Sequence, residues 1–264
     1  QLEFPHSLGL LYSAFTSFLG FTVNDGEYKV MGMAAFGEPR YLEKIQQVAS
    51  VANDGSLRLN MKYFDFQRSS TRMFNRRFQE LFGQPRTKEE SETLDPYYSD
   101  IAASIQKFTE NTLVATAKHL RKTTGMSNLC MAGGVALNSM ANYRILRESG
   151  FDNIFIQPAA SDAGGALGAA LWAYHALLNN PKHMTMGHVY YGPEFGDSDI
   201  IGTLKSSGSS YNEATNIDAL IDQVVDSLEQ GKVVGWYQNQ MEWGPRALGN
   251  RSILADPRSI SMKD

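Results

Sequence analysis

The sequence predicts an α/β fold, and two observations carry that prediction. Short apolar runs end in glycine-containing turns, AGG at 132–134 and SDAGG at 161–165, and each turn leads into a segment of helical character. Strands that alternate with helices in this way imply a sheet flanked by helices.

The elements follow in order. Residues 4–22, FPHSLGLLYSAFTSFLGFT, are aromatic-rich with apolar residues at helical spacing from Leu10 to Leu19, which predicts a buried helix ended near Gly20. Asn24-Asp25-Gly26 supplies turn chemistry, and a second break spans Gly37 to Pro39. Tyr41 to Val51 reads as a helix and LRLNMKYFDF (57–66) as a strand or hairpin. Residues 67–95 are charged, contain Gly83, Pro85 and the run KEESE, and read as a surface excursion. A long helix is expected from about Tyr98 to Lys122, with Ile101, Ile105, Phe108, Thr112 and Ala115 near one face. Gly125 sits just past its end, where C-terminal caps belong.

NLCMA (128–132) is then a strand, Gly133-Gly134 a turn, and about Leu137 to Ser149 a helix. NIFIQP (153–158) is a second strand, followed by a helix of small residues suited to close packing on a sheet. After a weakly patterned stretch (about 179–212) come a helix at 216–230, a strand in GKVVGWYQ and the segment NQMEWGPRALGNRSILADPR. A domain boundary is placed near 190, giving 1–190 and 191–264.

The 264 residues are 42% hydrophobic and 20% charged, enough for one large or two modest domains. A formal net charge of −4 gives no general electrostatic reason to expect nucleic acid or an anionic membrane as partner. The single cysteine, Cys130, excludes an intrachain disulfide framework and suits a reducing cytoplasm; Cys130 itself is expected as a buried strand thiol. No apolar run approaches the roughly 20 residues a membrane-spanning helix needs, and the first residues lack the features of a signal peptide. The chain opens without an initiator Met and stops just after a dense motif, so a fragment is expected.

Four stretches carry chemistry. In AGGVALN, Gly133 and Gly134 stand where a strand passes into a helix, so backbone N–H groups could approach a phosphate; the plain alternative is a tight turn. In SDAGGALGAAL, Asp162 is a candidate metal or phosphate-site ligand or else a helix cap, a role open equally to Ser161. Two glycine-bearing turns at the ends of two strands of one sheet together suggest one nucleotide crevice. In NDGEYKVMGMAAFG, Asp25, Glu27 and Lys29 alternate in a glycine-rich loop able to hold ribose or phosphate, or to stand as a solvated turn. In MEWGPRALGNRSIL, Arg246 and Arg251 lie among glycines and Asn250, with Trp243 and Pro245 stiffening the approach; a buried anion site is favoured over an ion-pair corner. The histidines show no HxxxH or HExxH spacing, so no self-contained metal site is expected, and His6 is the one modest candidate among them.

Taken together, these stretches resemble the carbamoyltransferases of the NodU, CmcH and TobZ type, in the right order and over about half the chain. The resemblance implies a Kae1-like domain of the actin/Hsp70/sugar-kinase ATPase fold (ribonuclease H-like), followed by the beginning of a YrdC-like α/β domain. It implies an O-carbamoyltransferase in which carbamoyl phosphate and ATP give carbamoyl-adenylate, whose carbamoyl group passes to a hydroxyl of a small molecule such as a sugar or antibiotic. By that resemblance Gly133, Gly134 and Asn138 match the nucleotide-cradling turn, with Asp25, Glu27 and Lys29 nearby. Asp162 matches the aspartate ligand of a divalent metal, iron or similar, and Arg246 and Asn250 match the carbamoyl phosphate segment, beside Arg251. The HxxxH pair, the first lobe and the acceptor's general base are expected upstream of Gln1, and most of the YrdC-like domain downstream of Asp264, leaving the fragment itself inactive. Two other readings stay open here: a sugar-kinase-like phosphotransferase and a non-catalytic nucleotide-binding module.

Overall fold

A single long helix frames the first half of the molecule. α5 (Pro96–Thr124) is entered through Asp95, whose side chain accepts a hydrogen bond from the Tyr97 N–H at 2.8 Å, and Pro96 fills its first turn. It closes at Gly125 in the left-handed region, φ 69°, where the sequence places its cap. The computed structural model describes residues 2–87, 95–181, 185–259 and 262. Its chain divides into two compact units, Gln1–Asp162 and Ala163–Asp264, and the boundary expected near 190 falls inside the second.

In the first unit, α1 (Leu8–Phe18) starts at Ser7, whose hydroxyl accepts from Leu10 N at 3.3 Å, and stops at Leu19 and Gly20 as expected. Seven of the 11 residues of α1 are buried, among them Leu11, Phe15 and Phe18. α2 (Glu27–Met33) corrects the sequence reading: Glu27 and Lys29 do not lie in a loop but in the first turn of a helix, where an acidic Glu27 complements the helix dipole. α3 (Leu42–Val48) stops short of Val51, because the Asn53-Asp54-Gly55 turn draws Ala49–Val51 into β1. β1 pairs antiparallel with β2 (Leu57–Leu59), so only the start of the 57–66 stretch is strand; a 3₁₀ turn at Met61–Tyr63 follows.

The stretch 67–95 is not simply a surface excursion. Within it lies α4 (Arg76–Phe82), capped by Asn75, and both Phe78 and Phe82 are fully buried. The Phe78 ring lies 4.6 Å from Phe82, 5.1 Å from Phe15, 5.1 Å from Phe74, 5.6 Å from Phe18 and 5.9 Å from Phe64, centroid to centroid. The charge that suggested a surface belongs to the outward face of α4, at Arg76, Arg77 and Glu80. The KEESE run lies outside the described residues.

β3 (Asn128–Met131) and β4 (Asn153–Ile156) form the parallel pair that the alternation of strands and helices requires, in register from Asn128↔Asn153 to Met131↔Ile156. Between them, the expected helix from Leu137 begins as a 3₁₀ turn (Gly134–Leu137) and becomes α6 (Ser139–Glu148). Leu129, Met131 and Ile154 pack against Val114 and Ala117 of α5, Ile145 of α6 and Phe151. Residues alternate across a strand, so Cys130 turns to the uncovered face and is exposed, against the expectation of a buried thiol.

The second unit contains α7 (Gly164–Trp172), which continues as a π-helical turn at Ala173–Leu177. α7 buries none of its residues: the short ladder of β5 (Val234–Tyr237) and β6 (Arg251–Leu254) in its own unit packs with α9 (Ile217–Glu229) instead. α8 (Asp197–Ser207) occupies the stretch read as weakly patterned. Among the described residues, no helix is long and apolar enough to cross a membrane.

Candidate functional site

The site grows from the carboxyl ends of β3 and β4, the place where open α/β sheets bind ligands. The turns after the two strands meet: Gly133 N–H donates to Ala160 C=O at 2.6 Å. Gly133 has φ 96°, a backbone that only glycine adopts without strain. Gly134 opens the 3₁₀ turn outside that region, and a Cβ there would stand 3.4 Å from the Ser161 hydroxyl. The two glycines therefore differ: Gly133 is needed for conformation, whereas Gly134 leaves room between the turns. Gly133→Ala should cost about 1–2 kcal/mol, read as a lowered urea midpoint, while Gly134→Ala should cost less. Equal losses would remove the distinction.

Three of the four motifs converge on the start of α6. A Cβ at Gly9 of α1 would lie 3.6 Å from Val135 Cγ2, and Ser139 Oγ lies 3.7 Å from Met31 Sδ of α2. Asn138 is the N-cap of α6, its Oδ1 accepting from Ala141 N at 3.1 Å. Its side chain is buried and pairs with Gln106 of α5 through two bonds, Asn138 Nδ2 to Gln106 Oε1 at 2.9 Å and Gln106 Nε2 to Asn138 Oδ1 at 3.0 Å. Tyr12 of α1 donates to the same Gln106 Oε1 at 2.9 Å. Asn138, expected to face a nucleotide, thus turns its amide inward.

The remaining residues expected in the site are placed as follows. Asp25 and Lys29 are exposed, and the Lys29 ammonium lies 5.9 Å from the Tyr28 ring centre. Glu27 is held by its neighbours: its Oε1 accepts from Ser13 Oγ at 2.8 Å and Asn24 N at 3.0 Å. Asp162 is exposed and does not cap α7, whose N-cap is Ala163. His6 Nδ1 accepts from Leu59 N–H at 3.1 Å and so serves the β2 strand. Among the described residues, no three His, Cys, Asp or Glu side chains come together as a metal cluster. Asp162 offers one carboxylate, and these residues do not hold a metal unaided. An open cleft of about 440 Å³, lined by Asn60, Lys62, Asp65, Arg68, Asn75 and Arg77 among others, includes none of the motif residues.

In the second unit, the residues from Met241 to Leu254 fold around a carboxylate that sequence reasoning passed over. Glu242 is fully buried, its Oε1 accepting from the N–H groups of Leu248 (2.7 Å), Asn250 (2.9 Å) and Arg251 (3.1 Å). Its Oε2 accepts from Arg251 Nε at 2.8 Å. Arg251 Nη2 donates further to the carbonyls of Gly244 and Arg246, at 3.0 and 3.1 Å. Asn250 is buried as well, its Nδ2 donating to Gln240 C=O at 2.7 Å and its Oδ1 accepting from Gln238 at 3.3 Å. Arg251 and Asn250 thus make the ion-pair corner set aside at first, while the partly exposed Arg246 stands on its rim. A single acid just ahead of two arginines in the sequence was the available signal.

Family models match both ends of the chain: "Carbamoyltransferase N-terminus" over residues 1–171 and "Carbamoyltransferase C-terminus" over residues 225–264. The chain is 48% identical to an uncharacterized protein of Synechocystis sp., a match covering 100% of the chain and 43% of the relative. It is 38% identical to nodulation protein NolO of Bradyrhizobium diazoefficiens, over 100% of the chain and 46% of the relative. It is 36% identical to nodulation protein NolNO of Sinorhizobium fredii, over 99% and 37% respectively. The chain spans less than half the length of each of these relatives.

Proposed function

This chain belongs to the carbamoyltransferase family, and on that premise we propose that it serves an O-carbamoyltransferase acting through carbamoyl-adenylate. Carbamoyl phosphate and ATP would supply the activated carbamoyl group, and a hydroxyl of a small molecule would receive it. The observation that carries this reading is the meeting of the β3 and β4 turns at Gly133 and Ala160, with α1 and α2 brought against the same place. Such a turn offers backbone N–H groups and an open approach to phosphate or ribose. Gly133 and Gly134 would cradle the nucleotide by main chain, with Lys29 and Asp25 as charged neighbours and Asn138 setting the start of α6. A phosphotransferase of the sugar-kinase type gives no place to the segment from Met241 to Leu254, whereas that segment lies within the carbamoyltransferase C-terminal match.

A divalent metal near the reacting carbonyl would supply Lewis acidity; within this chain Asp162 is proposed as one ligand, the others coming from outside these 264 residues. Arg246 is proposed to hold the phosphate of carbamoyl phosphate, since a guanidinium fork suits that anion. In the enzyme carrying this chain, radiolabelled carbamoyl phosphate with ATP should label a hydroxyl acceptor. Arg246→Ala should weaken apparent carbamoyl phosphate affinity by on the order of tenfold to a thousandfold, with lysine rescuing only part. Transfer of the ATP γ-phosphate to acceptor, with no carbamoyl label, would overturn the reading; unchanged carbamoyl phosphate affinity would remove Arg246 from the donor site.

A further inference from the structure

Gln106 is a buried carboxamide on a helix whose inward face mixes apolar and polar side chains, and none of the motifs contains it. Its hydrogen-bonding capacity is filled. Oε1 accepts from Tyr12 OH and Asn138 Nδ2, both at 2.9 Å, and Nε2 donates to Asn138 Oδ1 at 3.0 Å and Glu110 Oε1 at 2.9 Å. Glu110 in turn binds Arg144 of α6 at 3.1 Å through its other oxygen. α6 is therefore held to α5 at its cap, by Asn138, and again more than a turn later, by Arg144.

Burying so many polar atoms has a desolvation cost that their hydrogen bonds roughly offset, so the network adds little net stability over an apolar contact. What it adds is geometry: an amide pair fits in one register and one orientation, which an apolar contact does not demand. The residue fixed most directly is Asn138, at the exit of the Gly133–Leu137 turn. Tyr12 ties that point to α1, which also packs on Val135.

We propose that Gln106 is a positioning residue for the nucleotide, acting through Asn138 to set the Gly133-Gly134 turn; this rests on the reading that the turn carries nucleotide. Gln106 need not touch the ligand. Its side chain decides where the 3₁₀ turn ends and α6 begins, and so where the N–H groups of the turn point.

The test uses the whole enzyme carrying this chain, with ATP as the probe, calorimetry for affinity and steady-state carbamoyl transfer for kinetics. Gln106→Met keeps length and volume but removes the amide. It should weaken ATP binding on the order of tenfold to a hundredfold, raising KM for ATP far more than it lowers kcat. Tyr12→Phe, which deletes one bond and leaves the amide pair intact, should weaken ATP roughly threefold and serves if the methionine variant does not fold. A lowered melting temperature with wild-type ATP affinity and KM in the folded variant would show a merely structural role and overturn the proposal. Gly134→Val distinguishes the two layers, because its branched side chain stands in the space left between the turns. If it abolishes ATP binding while Gln106→Met does not, positioning fails alone; if both retain wild-type affinity, the nucleotide reading fails as well.

Discussion

Phe78→Ala should destabilise the first unit by about 3–5 kcal/mol, a substantial part of the stability of an ordinary domain. The Phe78 ring is fully buried among Phe15, Phe18, Phe64, Phe74 and Phe82, and the pairs with Phe15 and Phe18 lie edge-on. Removing it leaves a cavity between α1 and α4 that two helices held by other contacts cannot fully close. Phe78→Leu, which keeps more of the volume, should cost much less than alanine. Arg76→Ala on the outer face of the same helix should move stability by no more than about 0.5 kcal/mol. Urea unfolding followed by circular dichroism compares all three. Equal, small losses at Phe78 and Arg76 would mean that α4 is the peripheral segment its charge suggests.

That helix shows where the sequence was hard to read. Phe74, Phe78 and Phe82 stand at helical spacing, but α4 has only seven residues, fewer than the window in which periodicity becomes visible. Arg76, Arg77 and Glu80 weigh as heavily in composition as the phenylalanines do. α5 is the opposite case: over 29 residues, the apolar spacing and a glycine at the end made its extent legible to within two residues, although the Asp95-Pro96 start was not read. The parallel β3–β4 pair was legible from the strand–turn–helix alternation. The burial of its outer face was not, because covering a sheet depends on residues far away in the chain. Cys130 shows this, apolar by neighbours and exposed by register.

The candidate site divides in the same way. Glycine at 133 announces itself, since few other needs explain it, and the structure gives it φ 96°. Gln106 does not, because a glutamine one position from an apolar stripe reads as the solvated edge of a helix. Its meaning depends on Asn138, 32 residues later, and on Tyr12, 94 residues earlier. Long-range pairing of this kind leaves no local pattern. Arg251 was visible as a strong anion binder, yet the anion it binds is supplied by its own chain.

Glu242→Ala should destabilise the second unit by about 3–5 kcal/mol, since it leaves a partly buried guanidinium without its partner and three backbone N–H groups without their acceptor. The substitution strands the Arg251 guanidinium and withdraws the common acceptor of the Leu248, Asn250 and Arg251 N–H groups. Glu242→Gln keeps an oxygen for those amides and should lose less. Burial alone would raise the Glu242 pKa, but the hydrogen bond from Arg251 and those from the backbone amides outweigh it and bring it from 4.5 to about 2. The unfolded chain thus takes up its proton first. The stability this carboxylate contributes is complete above pH 4.5, declines as pH falls below that value and is gone below about 2. Urea titrations followed by the fluorescence of Trp236 and Trp243, across that interval, should show wild type losing stability faster than Glu242→Gln as acid is added. Parallel slopes would mean that Glu242 titrates as a free carboxylate and that the corner is not built on it. On the proposal that Arg246 holds the donor phosphate, the same corner bears on donor binding, because Arg251 Nη2 fixes the carbonyl of Arg246. A mild Glu242→Gln variant that stays folded near neutral pH should therefore weaken carbamoyl phosphate in the same direction as Arg246→Ala, and by less. A larger loss from Glu242→Gln than from Arg246→Ala would shift the donor contact from Arg246 to Arg251.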